Sequence, residues 1–313
     1  MKTETSTVLV IGFGSIGQRH ASILREMGLT VHVFSRRKIP EENIFQSLED
    51  ALKEVTPEYV VIANETSDHY SALKTALSFE VPNILVEKPL FVTVVKSLPE
   101  YSQSQVRVAY NLRFHPLLQH LYSEIKRQTV LSVQIYVGQY LPDWRPQQNY
   151  RNSYSVSTAQ GGGVLRDLSH ELDYINWLFG PWQAISALGG HYSSLAGDSD
   201  DVFCLLLKME RCPAVSLQMN YLDRCGRREI TINTDEHTYH LDLVKQEYKK
   251  DQEASILFSS ERDETYRNQH TDMLNNHGKL CCSLLEGLDV MRMIDAAEKS
   301  AETETWQKNQ HLR

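Results

Sequence analysis

The chain has 313 residues, enough for about two domains at roughly 150 residues each and for a full apolar core without disulfides or metals. Hydrophobic residues make up 41% and charged residues 23%, which excludes an intrinsically disordered or collagen-like chain. The net charge of −8 argues against nucleic-acid or anionic-membrane partners, and no apolar run approaches the ~18 residues of a membrane span.

Thr7–Ile11 is a short β-branched run, too short for the core of a secretory signal, so the expected compartment is the cytoplasm. A helix is predicted over 15–27, closed by Gly28. Thr30–Phe34 is strand-like. Ser47–Val55 is helical, with Leu48, Ala51, Leu52 and Val55 on one face. Tyr59–Ala63 reads as a buried strand and His69–Phe79 as a helix. Asn83–Val86 and Gln105–Tyr110 are further strands, and Pro99 interrupts any helix between Phe91 and Ser104. Strands alternating with helices imply a doubly wound parallel sheet.

The pattern changes after Pro116. A helix over Leu117–Arg127 is followed by strand-like runs at Ser132–Tyr140, Ala184–His191, Val202–Met209, Ala214–Asn220 and Glu229–Leu243. One helix, Val164–Leu178, interrupts them, and Tyr266 to about Thr303 is helical. The expected division is a Rossmann domain over 1–115 and an α+β domain over 116–313 with an open-faced, mostly antiparallel sheet. The five cysteines include no C-x-x-C pair, and Cys281 and Cys282 sit in a helix-like run. All five read as reduced structural thiols. The histidines show no zinc-type spacing with them, and no metal is expected.

Gly12-Phe13-Gly14-Ser15-Ile16-Gly17 is a G-x-G-x-x-G that follows a strand and opens a helix. In that setting Gly12 allows the tight turn, Gly14 lets the backbone approach a pyrophosphate, and Gly17 lets helix and strand pack closely. At the end of the second strand, an NAD site usually places Asp or Glu on the ribose 2′-OH. Here Ser35-Arg36-Arg37 stand instead, and a hydroxyl with two guanidiniums suits the 2′-phosphate of NADP. The expected cofactor is NADP, with NAD as the alternative.

Four more segments complete a pattern. Ala63-Asn64-Glu65-Thr66-Ser67-Asp68-His69 follows the third strand, Glu87-Lys88-Pro89-Leu90 the fourth, and Asn111-Leu112-Arg113-Phe114-His115-Pro116 the fifth. Gly161-Gly162-Gly163-Val164-Leu165-Arg166-Asp167 leads into a helix with His170 and Asp173. Together with Gly17-Gln18-Arg19-His20, the chain resembles the glucose–fructose oxidoreductase, inositol dehydrogenase and MocA (Gfo/Idh/MocA) family over nearly its whole length.

The resemblance implies a substrate held between the nicotinamide and the open sheet. Lys88 is implied as the catalytic residue, before a Pro89 that is often cis. Asp167 and His170 are implied to handle substrate hydroxyls and protons. Asn64, Thr66, His69 and Glu87 are implied to touch the cofactor, and Asn111 and Arg113 join the substrate candidates. In the family the His generally stands four residues after the Asp. Here His170 is three after, and Glu171 takes the fourth place, so either is a candidate to face the cleft. Asp173 extends the same polar stripe.

A hydride moves between nicotinamide and a carbinol carbon, and the alcohol proton needs an acid or base. A lysine ammonium desolvated in a closed cleft serves, as does an imidazole that titrates near neutrality. The 141–160 loop carries Trp144, Arg145, Arg151 and Tyr154, which suit sugar faces and anionic groups. The expected function is oxidation or reduction of a secondary alcohol or ketone on a sugar, sugar acid or nucleotide sugar. The alternatives are an NAD-dependent glycoside hydrolase of the same fold and a non-catalytic nicotinamide-binding regulator. A homodimer or homotetramer is expected through the open sheet face, where Val202, Cys204, Leu206 and Lys208 alternate with Phe203, Leu205 and Leu207.

Overall fold

A computed structural model describes residues 6–37, 43–95, 97–98 and 101–311. Pro99 lies outside them. The chain divides into two compact units, Met1–Phe114 with Glu261–Leu288, and His115–Ser260 with Asp289–Arg313. The first division falls between Phe114 and His115. Glu261–Leu288 returns to the first unit, a choice between the two domains that the sequence left open.

In the first unit, strands β1 (Thr7–Ile11), β2 (Thr30–Phe34), β3 (Ile44–Phe45), β4 (Tyr59–Ile62), β5 (Asn83–Val86) and β6 (Gln105–Val108) pair in parallel in the order β6-β5-β4-β1-β2-β3. Parallel strands covered on both faces must be apolar throughout, and Val8–Ile11 and Tyr59–Ile62 are wholly buried. Helices α1 (Ser15–Glu26), α2 (Leu48–Val55) and α3 (His69–Ser78) supply the crossovers. Ala21 and Leu24 of α1 pack into a core with Val8, Val10, Tyr59 and Val61. The strand order reverses between β1 and β4, and the loops after these strands are where a doubly wound sheet binds ligands.

The C-terminal segment is not continuously helical. The helix Glu264–Asn275 stops, Cys282–Ser283 forms a short strand antiparallel to β6, and a second helix runs over Leu284–Thr303. His277 and Gly278 both take positive φ there, and the Asp272 carboxylate accepts from the Leu280 and Cys281 amides at 2.9 and 3.1 Å. Cys281 and Cys282 thus lie at a break, not in a helix.

The second unit begins with α4 (Pro116–Ile125), with Pro116 at its first turn and the His115 ring accepting from the Leu117 amide. Its sheet comprises β7 (Val130–Gly138), β8 (Trp182–Gly190), β9 (Val202–Met209), β10 (Ala214–Asn220), β11 (Arg227–Thr234), β12 (Thr238–Asp242), β13 (Glu247–Lys250) and β14 (Ile256–Leu257). They run in the order β14-β13-β12-β11-β7-β10-β9-β8, with Gln307–Lys308 on the far edge. All pairs are antiparallel except β7 with β10.

Along β9, Phe203, Leu205, Leu207 and Met209 are buried while Cys204 and Leu206 are exposed, so one face is core and the other open. The single strand expected over Glu229–Leu243 is a hairpin. The Thr234 hydroxyl accepts from the Glu236 and His237 amides and turns the chain between β11 and β12.

The helix expected over Val164–Leu178 is also two pieces, α5 (Val164–Asp167) and α6 (His170–Phe179). At Leu168 and Ser169 the bonding tightens to three-residue steps, with Ser169 N–H donating to the Arg166 carbonyl and Glu171 N–H to that of Leu168. The i, i+3 stripe expected on one helix is therefore not continuous.

Candidate active site

The first unit supplies a dinucleotide cradle. Gly12 leaves β1 at φ +96°, and a β-carbon there would lie 2.5 Å from the Asn64 backbone. A β-carbon on Gly17 would lie 2.1 Å from the Gly12 carbonyl oxygen. The chain's own packing demands both glycines. Gly14 differs, because a β-carbon there would meet nothing within 4 Å. It sits exposed with Ser15 where α1 starts, and no side chain caps the helix. Phe13 and Ile16 turn inward onto the core. Uncapped amides at a helix N-terminus, with open space at the middle glycine, fit a pyrophosphate.

At the end of β2, Ser35 is buried and its hydroxyl accepts from the Arg37 amide at 3.1 Å. Arg36 is not idle. Its Nη2 donates to Glu65 at 3.0 Å and to Asp68 at 2.5 Å, and Arg37 approaches Glu65 at 3.5 Å. The Asp68 charge, then its hydrogen bond, raises the Arg36 guanidinium above its ordinary range. Glu65 is held below the usual carboxylate range by its own amide and, against some burial, by Arg36. Two guanidiniums and two carboxylates therefore share this corner, which the sequence motif alone did not convey.

His69 is wholly buried and ties two loops together. Its Nδ1 lies 3.2 Å from the Pro89 and Leu90 carbonyls, and its Nε2 lies 3.2 Å from the Asn64 carbonyl. Burial lowers this imidazole below its usual range, so one ring nitrogen donates and the other does not. His69 therefore acts on the cofactor loops by holding them. Asn64 Oδ1 is buried with no hydrogen-bond partner among the described residues, an acceptor awaiting a donor beside Gly12. Thr66 is half-buried in the short turn Thr66–Asp68.

Lys88 is half-buried, and the Lys88–Pro89 bond is cis, as the resemblance implied. The Lys88 amide donates to Glu87 Oε2 at 3.0 Å. Asn111 and Arg113 are committed inside this unit. Asn111 donates to the Thr265 hydroxyl at 2.7 Å, and Arg113, 2% exposed, pairs with Glu286 at 3.0 Å.

In the second unit, Asp167 is buried and accepts from the Tyr221 hydroxyl at 2.7 Å. The Tyr154 hydroxyl bonds to the same carboxylate, whose charge, with burial, pushes that phenol well above its usual range. Burial and then Asp167 do the same to Tyr221. Trp144 stands edge-on to Tyr221 with ring centroids 5.3 Å apart, and the Arg145 charge acts on Tyr154. Trp144, Arg145, Tyr154 and Asp167 are thus brought together, with Tyr221 as the member that sequence reasoning missed. Arg151 is exposed and lies over the Tyr150 ring.

His170 and Glu171 differ in burial. His170 is half-buried, whereas Glu171 is wholly buried and faces Arg228, with Nε–Oε1 2.8 Å. Asp173 is buried too. Glu171 and Asp173 both lie in the interior, on the helix that follows the break at Leu168–Ser169.

These features define a two-unit protein built on a dinucleotide-binding Rossmann sheet. Residues 6–104 match a family model described as an oxidoreductase family with an NAD-binding Rossmann fold, and residues 128–240 match the GFO/IDH/MocA C-terminal domain. The chain belongs to the Gfo/Idh/MocA oxidoreductase family. An uncharacterised oxidoreductase of Synechocystis sp. is 27% identical over 204 residues, 59% of this chain and 54% of that protein, so the match spans about half the relative's length.

Among solved structures, levoglucosan dehydrogenase in complex with NADH is 18% identical, with a TM-score of 0.84 over 99% of this chain and 100% of the other. WlbA dehydrogenase from Bordetella pertussis, in complex with NADH and UDP-GlcNAcA, is 17% identical, with a TM-score of 0.78 over 98% and 99%. At these identities the likeness is one of fold.

Proposed function

We propose that this chain is a nicotinamide-dependent oxidoreductase acting on a secondary alcohol or ketone of a sugar, sugar acid or nucleotide sugar. The observation that carries the dinucleotide is the contrast among the glycines. Gly12 and Gly17 are demanded by the chain's own packing, and Gly14 by nothing in the chain. The fold neighbours that carry levoglucosan or UDP-GlcNAcA beside NADH support the substrate class.

The bound nicotinamide would supply the hydride exchange. Lys88 moves the alcohol proton, its backbone amide held by Glu87. His170 is the second proton-handling group. Asp167 accepts from the Tyr154 and Tyr221 hydroxyls and so fixes both rings, and Arg145 supplies positive charge beside Tyr154. We further propose a homodimer or homotetramer built through the open face of the second sheet.

NADP is the proposed cofactor, read from Ser35, Arg36 and Arg37. The carboxylates of Glu65 and Asp68 favour a second reading, NAD, because they offer acceptors to a ribose hydroxyl and neutralise the two arginines. Fluorescence titration with NADPH and NADH in parallel separates the two. The NADP reading expects tighter NADPH binding that weakens about tenfold in Arg36→Ala, the loss of one charge-assisted phosphate contact. It also expects Asp68→Asn to tighten NADPH and leave NADH almost unchanged. Equal or tighter NADH binding in the wild type overturns it in favour of NAD.

A further inference from the structure

A chain of four buried side chains ends at the Glu-Lys-Pro turn. His20 of α1 places Nε2 2.8 Å from Glu87 Oε1. Its Nδ1 lies 2.9 Å from His270 Nε2, and His270 Nδ1 lies 2.9 Å from the Tyr59 hydroxyl. Tyr59, His20 and His270 are all 0% exposed.

The direction of these bonds follows from the inventory of protons. Each neutral imidazole donates through one nitrogen and accepts through the other, and a phenol can do both. If His20 donated through Nδ1, His270 would have to accept at Nε2 and donate through Nδ1 to the Tyr59 oxygen. The Tyr59 proton would then be buried with no acceptor among the described residues, at about 1–3 kcal/mol. With the opposite polarity every proton has an acceptor. Tyr59 donates to His270 Nδ1, His270 Nε2–H to His20 Nδ1, and His20 Nε2–H to Glu87. Burial agrees at the inner end, raising the Tyr59 phenol and holding His270 well below the usual imidazole range.

We propose that Tyr59, His270 and His20 form a one-way hydrogen-bond chain that orients the Glu87 carboxyl group, so that its second oxygen locks the Lys88 backbone for cofactor binding. His20 and His270 are then positioning residues. The chain is an anchor and not a proton path, because its far end, Tyr59, is sealed from solvent. His20 belongs to the helix behind the phosphate loop, so the anchor links that helix to the Lys88 turn. The role assigned to Glu87 rests on the cofactor reading above.

Nitrogen NMR of the full-length protein labelled at histidine reads the tautomers directly, with single His20→Gln and His270→Gln variants assigning the signals. Both rings are expected as Nε2–H tautomers at neutral pH, and an Nδ1–H tautomer at either ring overturns the polarity. NADPH and NADH titrations test the role. His270→Leu removes the donor to His20 and is expected to weaken the tighter cofactor about tenfold. His270→Gln, whose amide can still donate to His20 Nδ1, is expected to restore most of it. Tyr59→Phe probes the same chain with less disturbance and is expected to cost about threefold. If Glu87→Gln weakens the cofactor but His270→Leu and Tyr59→Phe do not, the anchor is overturned and the cofactor reading stands. If Glu87→Gln itself changes nothing, the cofactor reading of this turn fails.

Discussion

At the scale of single residues, the three glycines of the phosphate loop carry different burdens that one motif conceals. A β-carbon on Gly17 collides with the Gly12 carbonyl, a backbone atom that cannot swing away. Gly17→Ala is therefore expected to cost about 3 kcal/mol of stability, the upper range for overpacking, or to prevent folding. Gly14→Ala adds its methyl to open space, so its unfolding midpoint should match the wild type within about 0.5 kcal/mol. The same methyl stands where a pyrophosphate would approach, and affinity for NADPH and NADH is expected to fall at least about tenfold. Urea unfolding and cofactor titration of the two variants give opposite patterns if this is right. A Gly14→Ala protein that binds both cofactors normally would mean that the loop holds no phosphate. Asp167 permits a similar test. Tyr221→Phe removes a 2.7 Å hydroxyl from a buried carboxylate, and about 1–3 kcal/mol of stability should go with it.

At the scale of elements, legibility followed how locally each segment's fate is decided. The strands of the first unit are buried on both faces, so they stand out as short apolar runs between turn residues, and the phosphate loop sits where β1 ends and α1 begins. The break between α5 and α6 left no such mark, since Leu168 and Ser169 both suit a helix. The start of α5 is likewise held from outside the segment, by Asp200, whose carbonyl accepts from Val164 N–H and whose carboxylate accepts from Leu165 N–H at 3.0 Å. Tyr221, Arg228 and His270 escaped for the same reason, each reaching the candidate site or its support from a distant stretch of chain. Asp200 also makes the start of α5 sensitive to pH. Burial pushes its carboxyl up to about 6, above the ~3.9 of an unfolded chain. A raised acid pKa means that the folded state holds the proton more tightly. The favourable term is complete below about pH 4 and is lost as pH rises through 6. Two units correspond to a few kcal/mol at most, and solvent relaxation will reduce it. Asp200→Asn keeps an acceptor for Leu165 without the charge. Its stability measured in urea should decline less than the wild type's between pH 5 and 7, and parallel curves would assign the titration to another group.

At the scale of the whole molecule, the open sheet face bears on how copies associate. A one-sided antiparallel sheet normally shows water polar side chains on its free face. Here Leu206 is 55% exposed and Leu188 67% exposed. Cys204, also exposed, lies opposite Leu188 on β8 and Gln218 on β10, while Leu206 lies opposite Ser186 and Ser216. The apolar residues thus form a centre flanked by small polar ones, the pattern of an interface core with its rim. A two-fold contact would bring this patch against itself, and a stable one needs about 800 Å² from each partner. Each chain carries a net charge of −8, so association works against repulsion that salt screens. Light scattering is therefore expected to show a dimer or tetramer that tightens as salt is added. Leu206→Arg should shift it to monomer with unchanged secondary structure, because a guanidinium at the centre of the patch would be buried against its own copy. The salt dependence separates this face from contacts made by charged loops, which added salt would loosen. A wild-type chain that stays monomeric at micromolar concentration across the salt series would exclude the sheet face as the site of assembly.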